Sequence, residues 1–303
     1  MRALITGGRG FVGTWLADHL RACGDEVVAV DAEVDVTDPA AVDAAVADAR
    51  PDAVYHLAAL AHVGDSWRDP LRVLEVNVLG TAAVLAAARR HDEGTRVLVT
   101  SSAEVYGPVA GEEELPLAEG REPAPLTPYA ASKLAAEAVA GQAVRGHGQP
   151  VIVVRPFNHV GPGQSPNFAV PALARRVVEA QRDGAGAIPV GNLSARRDLT
   201  DVRDVVRAYR LLIERGTPGR VYNVCSGHDV AIEDVARRLV ALAGASLEFV
   251  PDPELFRPVE VPVLRGDPTR IEADTGWSPE IPLESTLADV LGEWQQRAGA
   301  PTT

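Results

Sequence analysis

Apolar and polar residues alternate along the first half of the chain as short apolar runs followed by segments with helical spacing. Residues 3–6 form the first apolar run, and Val12, Leu16 and Leu20 then recur on one helix face. Later patterns predict strands at residues 26–31, 52–59, 96–100 and 150–155, and a helix over residues 70–90. Because strands that alternate with helices build a parallel sheet covered on both faces, the first half is predicted to be an α/β doubly wound sheet.

The second half departs from this order after Arg155. Helices are predicted over residues 169–183, near 201–214 and near 284–297, and a strand is predicted over residues 221–224. No repeat, low-complexity tract or flexible linker is visible, so several excursions of the chain should build the second domain. We predict one domain from residues 1–157 with a return segment of about 196–226. A smaller α/β domain would comprise residues 158–195 and 227–303.

Three glycines, Gly7, Gly10 and Gly13, lie between the first predicted strand and the first predicted helix. Because glycine has no Cβ, the backbone here can turn tightly, approach a pyrophosphate and seat the helix on the sheet. The unpaired N–H groups of a helix N-terminus favour the same phosphates. A strand, a glycine loop and a helix in this order predict a dinucleotide-binding site.

The next strand bears on which dinucleotide is bound. Asp31 ends that strand about 20 residues after the loop, where a carboxylate can bind the adenosine ribose and repel a 2′-phosphate. Asp31 therefore favours NAD. Arg9, inside the loop, argues for NADP because its guanidinium could contact that phosphate. We expect NAD or NADP as the coenzyme, with NAD slightly favoured.

Composition and charge limit the partners and the compartment. The net charge is −13 and no basic stripe is present, whereas nucleic-acid binding needs a positive surface. No apolar run approaches the roughly 20 residues that span a bilayer, and the chain leads directly into a strand without a signal peptide. We therefore expect a cytoplasmic protein with neither nucleic acid nor membrane as a partner.

The chain contains one lysine, Lys133, and Tyr129 precedes it by four positions. On a helix, residues i and i+4 share one face, so both side chains can reach one small ligand. A lysine ammonium is a compact charge that the planar guanidinium of arginine does not reproduce. It also favours a phenolate, which would lower the pKa of Tyr129. Tyr129 is predicted to be a general acid or base.

Ser102 follows the strand predicted over residues 96–100 and completes a set that suits carbonyl reduction. The oxygen of a carbonyl gathers negative charge as hydride arrives. Ser102 would donate a hydrogen bond to that oxygen, Tyr129 would protonate it, and Lys133 would hold the nicotinamide ribose. The coenzyme would supply the hydride.

Six motifs occur in the order in which they appear in the extended short-chain dehydrogenase/reductases that modify nucleotide sugars. They are TGGRGFVG at residues 6–13, HLAA at 56–59, NVLGT at 77–81, SSAEVYG at 101–107, TPYAASK at 127–133 and RPFNHVGPGQ at 155–164. The chain therefore resembles this family over nearly its whole length. The resemblance implies a Rossmann-type sheet with a smaller substrate-binding domain, an NAD(P)-dependent enzyme and, commonly, a homodimer.

The resemblance also implies roles for individual residues. Coenzyme contacts are expected from Gly7, Arg9, Gly10, Phe11, Val12, Gly13, Asp31, Asp35, Val36, Leu57, Ala58, Ala59, Asn77, Thr100, Tyr129, Lys133 and Pro156. Substrate contacts are expected from Ser102, Tyr129, Asn158, Val170, Arg197, Arg257 and Glu260. Asp35 and Val36 would lie beside the adenine, and Asn77 would support the helix of the catalytic tyrosine. Arg197 suits a phosphate because a guanidinium can bind two oxygens, although it could instead pair with Asp198.

Residues 155–267 most resemble the group of reductases that act on C4 of a GDP-4-keto-6-deoxy-mannose and form GDP-D-rhamnose. GDP-mannose 4,6-dehydratases share much of this segment. Such dehydratases use chiefly a glutamate at the position of Glu104, after a small residue such as Ala103, so Glu104 is a candidate acid/base. It could equally be a structural carboxylate at a strand end.

Two alternatives to a reductase therefore remain. One is a redox-neutral dehydratase or epimerase that holds NAD tightly. The other is a non-catalytic protein that senses a nucleotide, which is disfavoured because Ser102, Tyr129 and Lys133 are all intact.

We expect Lys133→Arg to lower turnover by at least about 100-fold, the scale of a misplaced acid/base group. The variant keeps the positive charge, but a planar fork cannot occupy the place of a compact ammonium. Steady-state kinetics, with circular dichroism to verify folding, would measure the loss. An arginine variant with wild-type turnover would show that charge alone suffices at this position.

Overall fold

The predicted alternation of strands and helices is present in the computed structural model, which describes residues 1–256 and 261–299. In chain order the elements are β1 (Arg2–Thr6), α1 (Phe11–Ala22), β2 (Glu26–Val30), α2 (Pro39–Ala49), β3 (Ala53–His56), α3 (Val63–Ser66), α4 (Pro70–Leu74), α5 (Gly80–His91), β4 (Arg96–Thr100), α6 (Pro128–His147), β5 (Val151–Pro156), β6 (Asn158–Val160), α7 (Ala169–Asp183), β7 (Ala187–Val190), β8 (Arg196–Asp201), α8 (Val202–Arg215), β9 (Val221–Val224), β10 (Asp229–Ala231), α9 (Ile232–Leu242), β11 (Glu248–Pro251), β12 (Val263–Leu264), α10 (Thr269–Thr275) and α11 (Leu283–Gly299). A π-helical segment, Glu75–Leu79, joins α4 to α5, and short 3₁₀ turns occupy Ala103–Tyr106, Glu112–Glu114 and Pro253–Leu255.

Six strands form the main sheet in the order β2-β1-β3-β4-β5-β9. All neighbouring strands are parallel, and Thr6 at the end of β1 pairs with His56 at the end of β3. Strand β2 lies on one side of β1 and β3 lies on the other, so a crevice opens between the carboxyl ends of β1 and β3. The Rossmann-type sheet predicted from the sequence is confirmed, and its switch point lies where the glycine loop begins.

Helices cover both faces of this sheet. Leu16 and Leu20 of α1 pack with Val205 and Tyr209 of α8 on one face. On the other face, apolar residues of α2, α5 and α6 pack together: Val42, Val46, Val84, Leu85, Ala140 and Ala143. The amphipathic spacing in the sequence therefore becomes a sheet with an apolar core on each side.

Residues from the later part of the chain form a second, smaller core. Its sheet has the order β10-β8-β12, with β6 also paired to β8, and a separate pair joins β11 to β7. Helices α7, α9 and α11 cover it with Leu173, Val177, Val235, Leu239, Leu287 and Val290. Several short strands from distant segments therefore meet in this unit.

Buried Asp198 holds three of these segments together. Its carboxylate accepts hydrogen bonds from the N–H groups of Ser226, Gly227 and Gly266 at 2.8, 2.9 and 3.3 Å, and from the Ser226 hydroxyl at 2.7 Å. A fully buried carboxylate costs free energy unless it is paired or hydrogen-bonded in this way. Asp198 thus joins β8 to the segments that contain Ser226, Gly227 and Gly266.

The packing differs from the predicted domain boundaries at two segments. Strand β8, predicted in the return segment of the first domain, belongs to the second sheet. Ile271 and Trp277, predicted in the second domain, pack into the first core beside α8. The predicted division into residues 1–157 with about 196–226, and residues 158–195 with 227–303, stays a prediction. Strand β8 and the segment that contains Ile271 and Trp277 both cross it.

Residues 70–91 form one continuous helix that includes the π-helical segment. By length and composition alone it is apolar enough to cross a membrane, which departs from the sequence expectation, and half of its most apolar window is buried in the protein. The helix lies on the main sheet between α2 and α6. A core helix of a soluble protein passes the same test, so this is weak evidence for a membrane span.

Candidate active site

Two glycines of the loop, Gly7 and Gly13, approach their surroundings too closely for a side chain. Gly7 has a φ of +71°, and a Cβ there would lie 2.8 Å from the backbone nitrogen of Ala58. A Cβ on Gly13 would lie 2.2 Å from the carbonyl oxygen of Gly7. Helix α1 therefore begins directly against the loop, with the first N–H groups of Phe11 and Val12 at the crevice. This cradle fits the pyrophosphate of a dinucleotide.

Asp31, which favours NAD, and Arg9, which favours NADP, lie in one cluster. The Asp31 carboxylate accepts hydrogen bonds from the N–H groups of Arg9 at 2.8 Å and Ala32 at 2.9 Å. The Arg9 guanidinium pairs with Glu33 at 3.0 Å. Glu33 was not among the predicted residues, although an acidic residue at every second position from 31 to 35 is visible in the sequence.

The remaining predicted coenzyme residues occupy the carboxyl ends of the central strands. Leu57, Ala58 and Ala59 follow β3, Thr100 ends β4 and Pro156 ends β5. Strand β3 stops at His56, earlier than predicted, so residues 57–59 are a loop at the crevice. Asp35 accepts hydrogen bonds from Thr37, whose N–H lowers the pKa of Asp35, and Val36 is buried against Gly80.

Helix α6 carries Tyr129 and Lys133 on one buried face. It begins where Thr127 caps it by accepting the N–H of Ala130 at 3.0 Å. The Lys133 ammonium donates to the carbonyl of Thr100 at 2.8 Å and lies 5.9 Å from the centre of the Tyr129 ring. The structure thus brings the lysine, the tyrosine and the end of β4 together.

Ser102 lies at the start of the 3₁₀ turn that follows β4. Its hydroxyl accepts the N–H of Glu104 at 3.2 Å, and it lies close enough to the Tyr129 hydroxyl to lower the pKa of that phenol. Glu104 is half-buried beside this pair. The predicted set of Ser102, Tyr129, Lys133 and Glu104 therefore occupies one small region.

The expected lowering of the Tyr129 pKa by Lys133 is wrong for this arrangement. Burial raises the pKa of Tyr129 to about 12; the hydrogen bond from Ser102 opposes this rise and the charge of Glu104 adds to it. Burial also lowers the pKa of Lys133 from 10.5 to about 8. The lysine is 5.9 Å from the ring centre and donates to a backbone carbonyl, so it does not offset the effect of burial on the pKa of Tyr129.

Asn77 lies in the π-helical segment and supports the catalytic helix. Its side-chain oxygen accepts the N–H of Leu60 at 2.8 Å, and its side-chain nitrogen donates to the Ser132 hydroxyl at 2.9 Å. Ser132 in turn donates to the carbonyl of Tyr129 at 2.7 Å. π-Helical turns are frequent at functional sites, and here one contains Asn77, which links the loop of residues 57–60 to α6.

Sequence reasoning missed the buried pair of Glu137 and Arg155. The Arg155 guanidinium donates to both oxygens of Glu137 at 2.8 and 2.7 Å, and the Ser101 hydroxyl donates to the same carboxylate. Glu137 continues the spacing of four that begins with Tyr129 and Lys133. That spacing is the signal that could have placed it on the catalytic face.

A cavity of about 530 Å³ is lined by three of the residues predicted to contact substrate, whereas Ser102 and Tyr129 are not among its lining residues. Asn158, Val170 and Arg197 line it, together with His62 and Arg176, which were not predicted. Arg197 is buried and donates to the carbonyls of Arg196 and Pro262 at 2.8 and 3.3 Å. Arg257 and Glu260, also predicted substrate contacts, lie outside the described residues.

Comparison with known proteins agrees with this geometry. A model of the NAD dependent epimerase/dehydratase family matches residues 3–225. The chain is 38% identical over 299 residues to the GDP-6-deoxy-D-mannose reductase of Pseudomonas aeruginosa. The similar region covers 98% of this chain and 98% of that protein. A solved structure of RMD from Pseudomonas aeruginosa complexed with NADPH has a TM-score of 0.91 and 37% identity, covering 98% of this chain and 100% of that one.

A dehydratase is also among the relatives. The GDP-mannose 4,6-dehydratase of Yersinia enterocolitica is 26% identical over 354 residues, covering 97% of this chain and 94% of that protein. These similarities confirm the family resemblance drawn from the six motifs. They also agree with dependence on NAD or NADP.

The buried ammonium predicts a dependence of stability on pH. Because the pKa of Lys133 falls from 10.5 unfolded to about 8 folded, the unfolded chain binds more protons between these values, and this residue adds stability as pH rises. Lys133→Met has no such charge, so we expect it to be more stable than the wild type at pH 7. This difference in the free energy of unfolding should shrink by up to about 3 kcal/mol as pH rises from 7 to 10. Urea unfolding of both proteins at several pH values gives the difference. A difference independent of pH would mean that Lys133 is not titrating from a buried site.

Proposed function

Because the chain belongs to the NAD dependent epimerase/dehydratase family, we propose that it reduces the C4 keto group of a GDP-linked 4-keto-6-deoxyhexose with NADH or NADPH. The product would be of the GDP-D-rhamnose type. The arrangement of Ser102, Tyr129 and Lys133 at the end of β4, beside the glycine loop, carries this proposal. Similarity to a GDP-6-deoxy-D-mannose reductase over 98% of both chains supports the substrate class.

The residues of the chain have complementary parts in this reaction. The bound coenzyme supplies a hydride to C4. Tyr129 gives the phenolic proton to the C4 oxygen, and Ser102 donates a hydrogen bond to the same oxygen as negative charge develops there. Lys133 holds the nicotinamide ribose and contributes positive charge near Tyr129.

The electrostatics of Tyr129 favour the direction of reduction. A general acid has to carry its proton when the reaction begins, and the raised pKa of about 12 keeps Tyr129 protonated near neutral pH. A dehydratase or epimerase first oxidises the sugar, for which the tyrosine has to accept a proton. The raised pKa of Tyr129 therefore suits a residue that begins the reaction as an acid.

The cavity lined by Asn158, Val170 and Arg197 suits a nucleotide sugar. Its volume of about 530 Å³ is in the range of small-molecule sites. Arg197 and Arg176 line it and can neutralise a diphosphate, and Asn158 offers an amide to the sugar or ribose. Assignment of the base to guanine rests on the similarity to the relatives.

The alternative is a redox-neutral dehydratase, and Glu104 is the observation that favours it. This carboxylate lies at the position of the dehydratase glutamate and is close enough to raise the pKa of Tyr129. A dehydratase would convert GDP-mannose without net consumption of coenzyme. The third possibility, a nucleotide sensor, has less support because Ser102, Tyr129 and Lys133 are brought together as a reaction would require.

Adding GDP-4-keto-6-deoxymannose to the purified protein with excess NADH or NADPH tests the proposal. We expect one reduced coenzyme to be oxidised per sugar, and the loss of nicotinamide absorbance measures this oxidation. Tyr129→Phe should lower turnover by about 10²- to 10⁴-fold, because the acidic proton is lost, while coenzyme binding changes little.

Tyr55→Phe is the matched control. Among the described residues the buried Tyr55 hydroxyl has no hydrogen-bond partner, so its removal should leave both fold and turnover near normal. Full activity in Tyr129→Phe would refute the catalytic assignment. Conversion of GDP-mannose without coenzyme consumption would instead establish the dehydratase.

The proposal includes a homodimer through the helix of residues 70–91 and α6. Large apolar side chains on and beside the first of these helices face solvent: Leu71 is 77% exposed, Leu79 60% and Trp67 47%. Large exposed apolar side chains on one element are typical of interfaces between proteins. A cytoplasmic location, without nucleic-acid or membrane partners, also remains part of the proposal, and cell fractionation would test it.

Light scattering after gel filtration should give the mass of two 32.0-kDa chains. Leu71→Glu combined with Leu79→Glu should yield a single chain, because the interface would then bury unpaired charges. Leu242→Glu provides a control, since Leu242 is 47% exposed at the end of α9. A wild-type monomer, or equal dissociation of the control, would reject this interface.

A further inference from the structure

The cavity of about 530 Å³ extends along helix α7 into the second core. Phe168, directly before α7, contacts His62 edge-on with 6.3 Å between ring centres, and His62 follows the loop after β3 at the crevice. Helix α7 then lines the cavity as far as Arg176. At about 1.5 Å per residue, Arg176 lies roughly 10 Å beyond Ala169 along this helix. Because α7 packs in the second core, Arg176 lies toward the end of the cavity that is farther from the main sheet.

Apolar side chains and backbone groups wall this end of the cavity. Leu173 of α7 lines it one helical turn before Arg176, and Leu193 and Leu255 line it from two other segments. These two segments approach each other closely, since a Cβ on Gly191 would lie 2.7 Å from the carbonyl oxygen of Leu255. Mostly apolar walls with a few placed polar groups are typical of small-ligand sites. Arg176 thus presents a charge at an apolar end that suits a planar heterocycle.

The Arg176 guanidinium has no ion-pair partner among residues 1–256 and 261–299. Its side chain is half-buried, and burial followed by the charge of Arg175 lowers its pKa, whereas Asp252 and Glu179 act in the opposite direction. Arg175 differs, because an oxygen of Glu179 lies 3.8 Å from its Nε. A partly desolvated charge without a partner gains from a ligand that offers acceptor atoms.

We propose that Arg176 recognises the guanine of the nucleotide sugar by donating hydrogen bonds to its O6 and N7 atoms. The inference rests on the proposed GDP-linked substrate and adds the residue that selects its base. The guanidinium fork matches these two neighbouring acceptors, and this pairing is the commonest specific contact in protein–DNA complexes. Adenine offers an amino donor in place of O6, and a pyrimidine has no N7. Arg176 therefore favours a 6-oxopurine over the other bases.

The order of groups in a nucleotide sugar separates the contacts of the two cavity arginines. The diphosphate lies between the sugar and the nucleoside, and the proposed catalytic residues, which would act on the sugar, do not line the cavity. The nucleotide part would therefore occupy the cavity. In the pairing of β6 with β8, Asn158 lies opposite Leu199, two residues after Arg197. Arg197, near Asn158, suits the diphosphate, and Arg176, farther along α7, suits the base.

Isothermal titration of the full chain with GDP, IDP, ADP and UDP tests this assignment, with excess NADH and NADPH present to keep the coenzyme site filled. We expect the wild type to bind GDP and IDP, which share O6 and N7, more tightly than ADP or UDP. Arg176→Gln should weaken GDP and IDP binding by about 5- to 100-fold, the worth of one bidentate contact to a base. ADP and UDP binding should change by less than about threefold, because only a screened charge is lost. With the GDP-linked keto sugar, KM should rise while kcat stays near the wild-type value, which also shows that the variant folds.

Arg175→Gln is the matched control, because it removes the same charge from a neighbouring side chain that does not line the cavity and pairs with Glu179. An unchanged GDP affinity in Arg176→Gln, an equal loss for all four nucleotides, or an equal loss in Arg175→Gln would each overturn the inference. A wild type that binds ADP or UDP as tightly as GDP would also overturn it, but would leave reduction of another nucleotide sugar possible. Selective binding of GDP without oxidation of coenzyme by the keto sugar would refute the reductase proposal alone.

Discussion

The buried ion pair between Glu137 and Arg155 fixes the catalytic helix on the sheet. The side chains are only 9% and 5% exposed, and the guanidinium also lies 4.8 Å from the centre of the Tyr106 ring. Removing either partner of such a pair costs about 3–5 kcal/mol, because the other charge stays buried. Ser101 binds the same carboxylate, so the adjacent Ser102 is placed relative to α6 by this pair. The ion pair therefore helps to position Ser102 near Tyr129.

The sequence predicted the main sheet well because its strands, apart from the exposed edge strand β2, are apolar runs that are mostly buried. Residues 96–100 and 221–224 form strands with the predicted bounds, as does the helix over 169–183. Strand β8 was missed because its sequence, RRDLTD, is polar and becomes a strand only through pairing with distant segments. Helix α2 was also missed, although Asp38 and the following Pro39 form a recognisable helix start.

The site divides in the same way between local and long-range causes. Tyr129 and Lys133 share a face because four residues separate them on a helix, and spacing alone foretold that. The direction of the Tyr129 pKa was misjudged because it depends on burial and on Glu104, neither of which the helix itself determines. The spacing also could not reveal that Lys133 is bound to the carbonyl of Thr100, a contact between α6 and β4. The pKa of Tyr129 and the position of Lys133 therefore depend on contacts with the sheet as much as on the spacing of the motif.

One loop connects the coenzyme side of the molecule to the substrate side. Phe11, at the start of α1, stacks on His159 with ring centres 6.0 Å apart, and Trp15 donates to the carbonyl of Pro162 at 2.9 Å. On the other side, Glu293 of α11 accepts the N–H of Gly163 at 2.8 Å. Because close-packed groups cannot shift independently, the glycine loop and the wall of the cavity keep one relative position. The loop of residues 158–164 therefore ties the coenzyme-binding side of the main sheet to the cavity that His159 and Gln164 line.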